Sequence, residues 1–489
     1  MRADATNELS SPGARILAEE SLIDAGQSLT SRQVRANVAR TLLELLEREC
    51  EAYCILSGYE HLPESFDTDI DFMVGAPDFL RMPGLVNEVA RRTQTRLFQV
   101  VDHEITGRAY WLHALSGAEL TVVQIDCASD YWHYGSLWLR CDEVLAARRR
   151  SARGFWIPAA AHEFAYGLVK RLNKRSFTKD HGQRLHRLYM DDPSGCDQMI
   201  ARFWKGSQGE LMRRMAASGD WTAMNAQLES LRMEMLRNTA ENAWQRAQSM
   251  PRRALAFIRR VTQPTGGWIA IMGPDGAGKS LVISALRQQL SSTFRVVRCY
   301  HLRPKLLRPG NSAEAAVTDP HGKPPRGMLA SIAKVFFLLA DYVFGYLIQL
   351  APAMMRSDMI IFDRYVHDLL VDARRVRYGG PGWLLRLLAS VVPRPDLVIL
   401  LDAPAEVLWS RKQEVTFEEV VRQRTGYLQV AGDLAQAVII DAAQSPSDVA
   451  GSALAAIVEF YSMRTARRLA LDNAPVPGNP IKAKAPSHP

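Results

Sequence analysis

The stretch Gly273-Pro274-Asp275-Gly276-Ala277-Gly278-Lys279-Ser280 satisfies G-x-x-x-x-G-K-[ST] at every defined position. Its chemistry is that of phosphate binding. The glycines let the backbone wrap with N–H groups turned inward, so Gly273, Asp275, Gly276, Ala277 and Gly278 form a cradle at a positive helix end. Lys279 can reach the β- and γ-phosphates of a nucleoside triphosphate, and the Ser280 hydroxyl can ligand Mg²⁺. ATP and Mg²⁺ are therefore the expected cofactors. The flanks agree: Trp268-Ile269-Ala270-Ile271-Met272 is an apolar run of buried-strand type, and Ser280 to Leu290 carries apolar residues at helical spacing.

A carboxylate must stand near such a loop to steady the metal. Four further apolar runs follow, at 294–300, 359–362, 397–401 and 437–440, and the last three end in Asp363, Asp402 and Asp441. Runs of this kind separated by helices predict a doubly wound parallel sheet, with ligands at the carboxyl ends of its strands. Asp363 is then the expected Mg²⁺ acid, and Arg364 the residue that clamps a phosphoryl group. A second set of acids lies upstream. Asp69 and Asp71 share one face of a predicted strand running from Asp67 to Val74, and the strand from Leu120 ends on Asp126. Three carboxylates so spaced can share a divalent cation.

The chain has 489 residues, 47% hydrophobic and 23% charged, which suits two to four globular domains. Its six cysteines form no metal-type pair of pairs, and residues 1 to 30 read as a disordered leader without a signal segment, which together suggest the cytoplasm. A net charge of +8 suits anionic ligands. Between Arg148 and Leu188, eleven Lys/Arg face two acids. That stretch could track nucleic acid, but stacking aromatics are sparse among its bases, and a solvated helical face is the favoured reading. Residues 198–260 are amphipathic, with Met and Trp read as packing groups. Val335 to Met355 is apolar enough to raise a membrane span. Asp341 within it argues for a buried helix instead, with peripheral membrane contact left open.

The expected organisation is a leader (1–30), an α+β domain (31–190), a helical connector (191–261), a P-loop domain (262–468) and a disordered tail (469–489). Residues 31–188 resemble the nucleotidyltransferase fold of the DNA polymerase beta type through Ser57-Gly58, Asp69-Ile70-Asp71 and Asp126. That likeness implies that Gly58 forms the turn, Asp69 and Asp71 the metal pair, and Asp126 the third carboxylate. The family's Gly precedes Ser, the reverse of the order here. The P-loop half resembles thymidylate kinase and the wider nucleoside monophosphate kinases. The resemblance rests on the P-loop with its acidic third position, Asp363-Arg364-Tyr365, Pro395-Asp396-Leu397 with Leu401-Asp402-Ala403-Pro404, and a lid-like Arg411 and Arg422-Gln423-Arg424. It implies γ-phosphoryl transfer from ATP to a small acceptor, with Arg411 and Arg424 as lid cations. A homodimer is left open.

The departures fall on the acceptor side. Tyr300-His301-Leu302-Arg303-Pro304 stands where the family has Glu-Pro-Gly-Gly-Thr, and Ala340-Asp341-Tyr342 where it has Ala-Asp-Arg. They point away from thymidine monophosphate, with His301, Arg303 and Asp368 as candidates for a different acceptor pocket. Two other readings stay open: an ATP-gated switch with slow hydrolysis, and a nucleotidyltransferase acting on nucleic acid.

Overall fold

The computed structural model describes residues 15–16, 29–66, 69–104, 106–133, 136–239, 243–306 and 325–471. The rest of the expected leader, the tail beyond 471, and Asp67 and Thr68 lie outside these residues. Within the stretch read as a leader, Arg15–Ile16 pairs in parallel with Val438–Ile439.

The amino-terminal half is built on a mixed sheet of β1 (Tyr53–Ser57), β2 (Asp69–Val74), β3 (Arg96–Glu104), β4 (Gly107–Ser116) and β5 (Glu119–Ala128), in the spatial order β1-β2-β5-β4-β3. β2 and β5 run parallel with Asp71 opposite Asp126 and Asp69 opposite Gln124. That register, with the two-residue period of a strand, brings the three acids to one place. One face of the sheet packs on α1 (Ser31–Glu49) and α2 (Ala76–Arg92) through Leu42, Leu46, Ile55, Phe72 and Val86.

On the opposite face, Cys54, Leu56 and Met73 join a helical core of α3 (Ala160–Lys174), α4 (Lys179–Asp191), α5 (Pro193–Phe203), α6 (Gly206–Ser218) and α7 (Met224–Asn238). Trp204, Met212, Met215, Trp221 and Met235 are buried in it, while Met233 is exposed. The helices expected to form a connector thus share a core with α3 and α4. α8 (Ala243–Thr262) then leads to the carboxyl-terminal half.

That half contains β6 (Gly267–Met272), α9 (Lys279–Leu290), β7 (Val297–His301), α10 (Met328–Gly345), β8 (Met359–Asp363), α11 (Gly382–Val391), β9 (Leu397–Asp402), α12 (Ala405–Arg411), α13 (Phe417–Asp433), β10 (Ala437–Asp441) and α14 (Pro446–Arg468). α10 runs on through a π-helical turn, Tyr346–Leu350, into Ala351–Met355. The strands lie in the order β10-β9-β6-β8-β7, with Arg15–Ile16 outside β10, and every pairing is parallel. β6 is buried along its whole length because both faces are covered. Ile269 and Ile271 face α9 and α14, whereas Trp268, Ala270 and Met272 face α10, α11 and α13.

The two halves share buried side chains. Phe98 of β3 stacks on His113 at 4.0 Å and meets Phe294 at 5.8 Å and Tyr461 of α14 at 5.6 Å. Thr465 Oγ1 donates to the Phe98 carbonyl at 2.7 Å, and Gln99 Nε2 to the Thr265 carbonyl at 2.7 Å. His113 Nε2 lies 2.9 Å from Thr293 Oγ1. Burial pushes the His113 imidazole down to about 3, so the folded protein refuses a proton that the unfolded chain accepts below its ordinary value of 6.5. This contribution to stability is complete above pH 6.5 and is lost as pH falls, by about 1.4 kcal/mol per unit. In thermal melts between pH 6.5 and 5, the wild-type midpoint should fall more steeply than that of His113→Gln; parallel slopes would remove His113 from the account.

Candidate active site

The P-loop leaves β6 at its carboxyl end, and its shape depends on glycine at two positions. Gly273 has φ 143° and Gly276 φ 87°, and a Cβ on either would lie 2.5 Å from a carbonyl oxygen, that of Leu401 or of Leu408. The loop is thus wedged between the end of β9 and α12. Lys279 opens α9 and is buried; its Nζ donates to the carbonyls of Gly273 at 2.9 Å and Pro274 at 2.7 Å and lies 3.7 Å from Asp275. Burial and then the nearby Arg364 charge lower its pKa to about 7, with Asp275, Asp368 and Asp363 opposing.

β8 pairs with β6 so that Asp363 stands opposite Ile271, at the same edge of the sheet as the loop. Burial works to raise the Asp363 carboxyl, but His301, then Lys279 and Arg364, hold it below its ordinary value. Asp363 Oδ2 lies 3.2 Å from His301 Nδ1, whereas Oδ1 is buried without a hydrogen-bond partner among the described residues. The orphan oxygen of Asp363, at the strand edge from which the P-loop leaves, and the exposed Ser280 hydroxyl are hard oxygen donors of the kind Mg²⁺ takes, so these residues fit the metal.

Arg364 is 3% exposed and adopts a left-handed backbone with φ 68°. Its guanidinium donates to Asp368 at 2.9 and 3.2 Å, to the Tyr427 hydroxyl at 2.8 Å, and to Asp275. Arg375 adds a bond to Asp275 at 2.9 Å and lies 3.4 Å from Asp372. Burial works to raise the Asp275 pKa, but Arg364, Lys279 and Arg375 hold it well below the carboxylate range. The buried network therefore ties the third residue of the P-loop to the turn after β8 and to α13. Tyr427 and Arg375 carry no signal of their own in the sequence; only the fold turns them toward Arg364 and Asp275.

The other expected site residues stand as follows. Arg424 grips Asp402 at the end of β9 with two bonds of 2.9 Å, and Arg411 donates to the Ala442 carbonyl at 2.7 Å. Arg422 is held by Glu419 and the Val371 carbonyl. Arg303 pairs with the fully buried Asp341 at 2.6 Å, while Asp368 is fully buried within the Arg364 network. Of the three acceptor candidates, His301 is exposed, at 55% of its side chain.

In the amino-terminal half, Asp69, Asp71 and Asp126 each offer an oxygen within 4.8 Å of the others. Burial, then Asp71 and Asp69, pushes the Asp126 carboxyl up to about 7. Ser57 Oγ donates to Asp71 at 3.2 Å, and Lys170 forms an ion pair with the same carboxylate. Much of the basic stretch is likewise paired: Arg150 with Glu47, Arg153 with Glu64, and Arg184 with Glu163 and Glu60.

The family model described as thymidylate kinase matches residues 271–452. A probable thymidylate kinase of Pyrobaculum calidifontis is 30% identical over 199 residues, 39% of this chain and 95% of that protein. The thymidylate kinase of Leifsonia xyli subsp. xyli is 26% identical over 201 residues, covering 39% of this chain and 93% of its own. That of Pseudomonas savastanoi pv. phaseolicola is 27% identical over 227 residues, covering 41% and 99%. The chain belongs to the thymidylate kinase family.

Membership rests on the carboxyl-terminal half, since the family match begins at the last residues of β6 and ends within α14. The protein is a P-loop nucleotide kinase, and residues 1–270 lie outside the matched part. Within the matched half, burial and Arg364 bring the Lys279 amine down to about 7. Bound phosphate would favour the charged amine, so Mg-ATP uptake at pH 8 should take up close to one proton, and affinity should fall by up to about tenfold per pH unit above 7. Calorimetry in two buffers of different ionisation enthalpy would report the uptake. Lys279→Ala should abolish it, and an unchanged uptake in that variant would exclude the lysine as its source.

Proposed function

We propose that the carboxyl-terminal half transfers the γ-phosphoryl group of ATP to a small acceptor, a nucleotide other than thymidine monophosphate or another phosphate- or hydroxyl-bearing compound. The observation that carries this reading is the convergence of Lys279, Asp275, Asp363 and Arg364 at the carboxyl edge of one parallel sheet. On this reading Lys279 leaves its two loop carbonyls for the β- and γ-phosphate oxygens, and the loop N–H groups hold the remainder of the triphosphate. Ser280 and the free oxygen of Asp363 would hold Mg²⁺, which, when bound, neutralises charge on the transferring group. Arg364, saturated by Asp275, Asp368 and Tyr427, fixes the cradle's shape. Arg411 and Arg424 are the lid cations, and each must exchange its present partner for phosphate as the lid closes.

The acceptor side supports a changed substrate. Arg303 is occupied by Asp341, and the exposed His301 borders Asp363, so the imidazole faces the incoming group. Incubation with γ-labelled ATP and a panel of nucleoside monophosphates, sugars and lipid-linked alcohols tests this. Label should appear on one acceptor class and fall at least 10²-fold in Lys279→Ala. Acceptor-independent hydrolysis would instead support the ATP-gated switch.

A second reading concerns the amino-terminal half, which we propose to be a nucleotidyltransferase-like domain in the cytoplasmic protein, with the helices of 191–238 part of the same packed unit. The juxtaposition of Asp69, Asp71 and Asp126 favours it. Three carboxylates would hold a divalent cation, and the high Asp126 pKa implies weaker binding as pH falls below 7, where a proton competes. Electron paramagnetic resonance with Mn²⁺ should detect a site that Asp71→Asn weakens at least tenfold, separate from that of Asp363. Equal Mn²⁺ uptake by Asp71→Asn and wild type would leave the acids a structural cluster.

A further inference from the structure

The helix formed by α10 and its continuation, 28 residues from Met328 to Met355, is long and apolar enough to cross a membrane, yet a third of its most apolar window is buried. Its two sides differ. Val335, Leu338, Asp341 and Tyr342 face the sheet, with Asp341 neutralised by Arg303. Leu329, Phe336, Phe344, Leu347 and Ile348 face outward, 50–84% exposed, at the three- and four-residue steps of one helical stripe. The acid that argues against a membrane span thus lies on the inner side, and the outer stripe carries no charge.

Two helices packed against it also expose apolar side chains. α11 packs on α10 and exposes Trp383, Leu387 and Val391, four residues apart. α8 touches the 351–355 segment and exposes Leu255, Phe257, Ile258 and Val261. The α8 sequence from Ala243 to Thr262 has five arginines and no acid. Arg260 reaches back to the carbonyls of Asp102 and His103, fixing that side of the helix toward the protein.

Charge identifies the occupant. Between residues 325 and 395 the acids are Asp341, Asp358, Asp363, Asp368 and Asp372, and none is exposed, whereas Arg326, Arg356, Arg386 and Arg394 are. Two copies meeting across this face would set arginine against arginine. An anionic lipid headgroup layer meets the same arginines with opposite charge and gives the apolar stripes a place in the acyl boundary.

We propose that the face formed by α8, α10 with its continuation, and α11 docks on an anionic lipid surface, lying in the interface without spanning it. The kinase is then a peripheral membrane enzyme whose P-loop half is held against the bilayer by two apolar helix faces and an amphipathic, arginine-rich third. This inference is independent of which acceptor is phosphorylated.

Flotation of the full chain with vesicles tests it. The protein should partition onto phosphatidylcholine vesicles containing 30% phosphatidylglycerol at least tenfold more than onto pure phosphatidylcholine, and 0.5 M NaCl should remove most of that gain. Phe257→Ser/Ile258→Ser and Leu347→Ser/Ile348→Ser change exposed side chains only. Each should lower partitioning at least tenfold while leaving circular dichroism and Mg-ATP binding unchanged. Partitioning that survives both double variants, or that ignores lipid charge, would overturn the proposal. So would sedimentation velocity that finds a dimer dissociated by these variants and no vesicle binding, which would make the face a contact between copies.

Discussion

The guanidinium of Arg364 is the interaction on which the kinase site depends. It is nearly removed from water and joins three segments far apart in sequence: the P-loop at Asp275, the turn after β8 at Asp368, and α13 at Tyr427. Removing it would take from the fully buried Asp368 its closest cation, a loss on the order of 3–5 kcal/mol. After burial, the same side chain is what lowers the pKa of Lys279, so one cation bears on both the cradle's geometry and the lysine's proton. Its left-handed backbone places strain where the network can hold it.

Both halves make their sites in the same way. In each, a parallel pair of strands carries acids to one edge: Asp363 beside Ile271 in the carboxyl-terminal sheet, Asp71 beside Asp126 in the amino-terminal one. The difference lies in what answers the charge. In the kinase half, arginines and a lysine crowd the acidic loop residue and keep it ionised. In the other, burial and then the neighbouring Asp71 and Asp69 raise Asp126, and Lys170 pairs with Asp71.

The P-loop and the strands of the carboxyl-terminal sheet were legible because a buried parallel strand must be an apolar run and the loop must carry glycines. The expected strands at 359–362, 397–401 and 437–440 fall within one residue of those observed, while that at 294–300 begins later, at Val297. What sequence spacing could not convey is partner choice among charges. Arg303 and Asp341 lie 38 residues apart, and nothing local pairs them. The basic stretch from Arg148 looks like an open positive surface until the fold brings Glu47, Glu64 and Glu163 to its arginines. Nothing in the sequence marks Phe98 and His113; their burial against the other half is a product of tertiary packing.

That junction bears on how the polypeptide is made. Thr465 holds the carbonyl of Phe98 across 367 residues of sequence. A ribosome moving at roughly 5–20 residues per second needs about 20–70 s to cover that distance. Throughout that interval the aromatic side of the early sheet has no α14 to cover it. The nascent chain therefore carries a sticky, half-finished surface until its last long helix emerges, and a chaperone that shields aromatic strand faces would determine how much of the product reaches the native state.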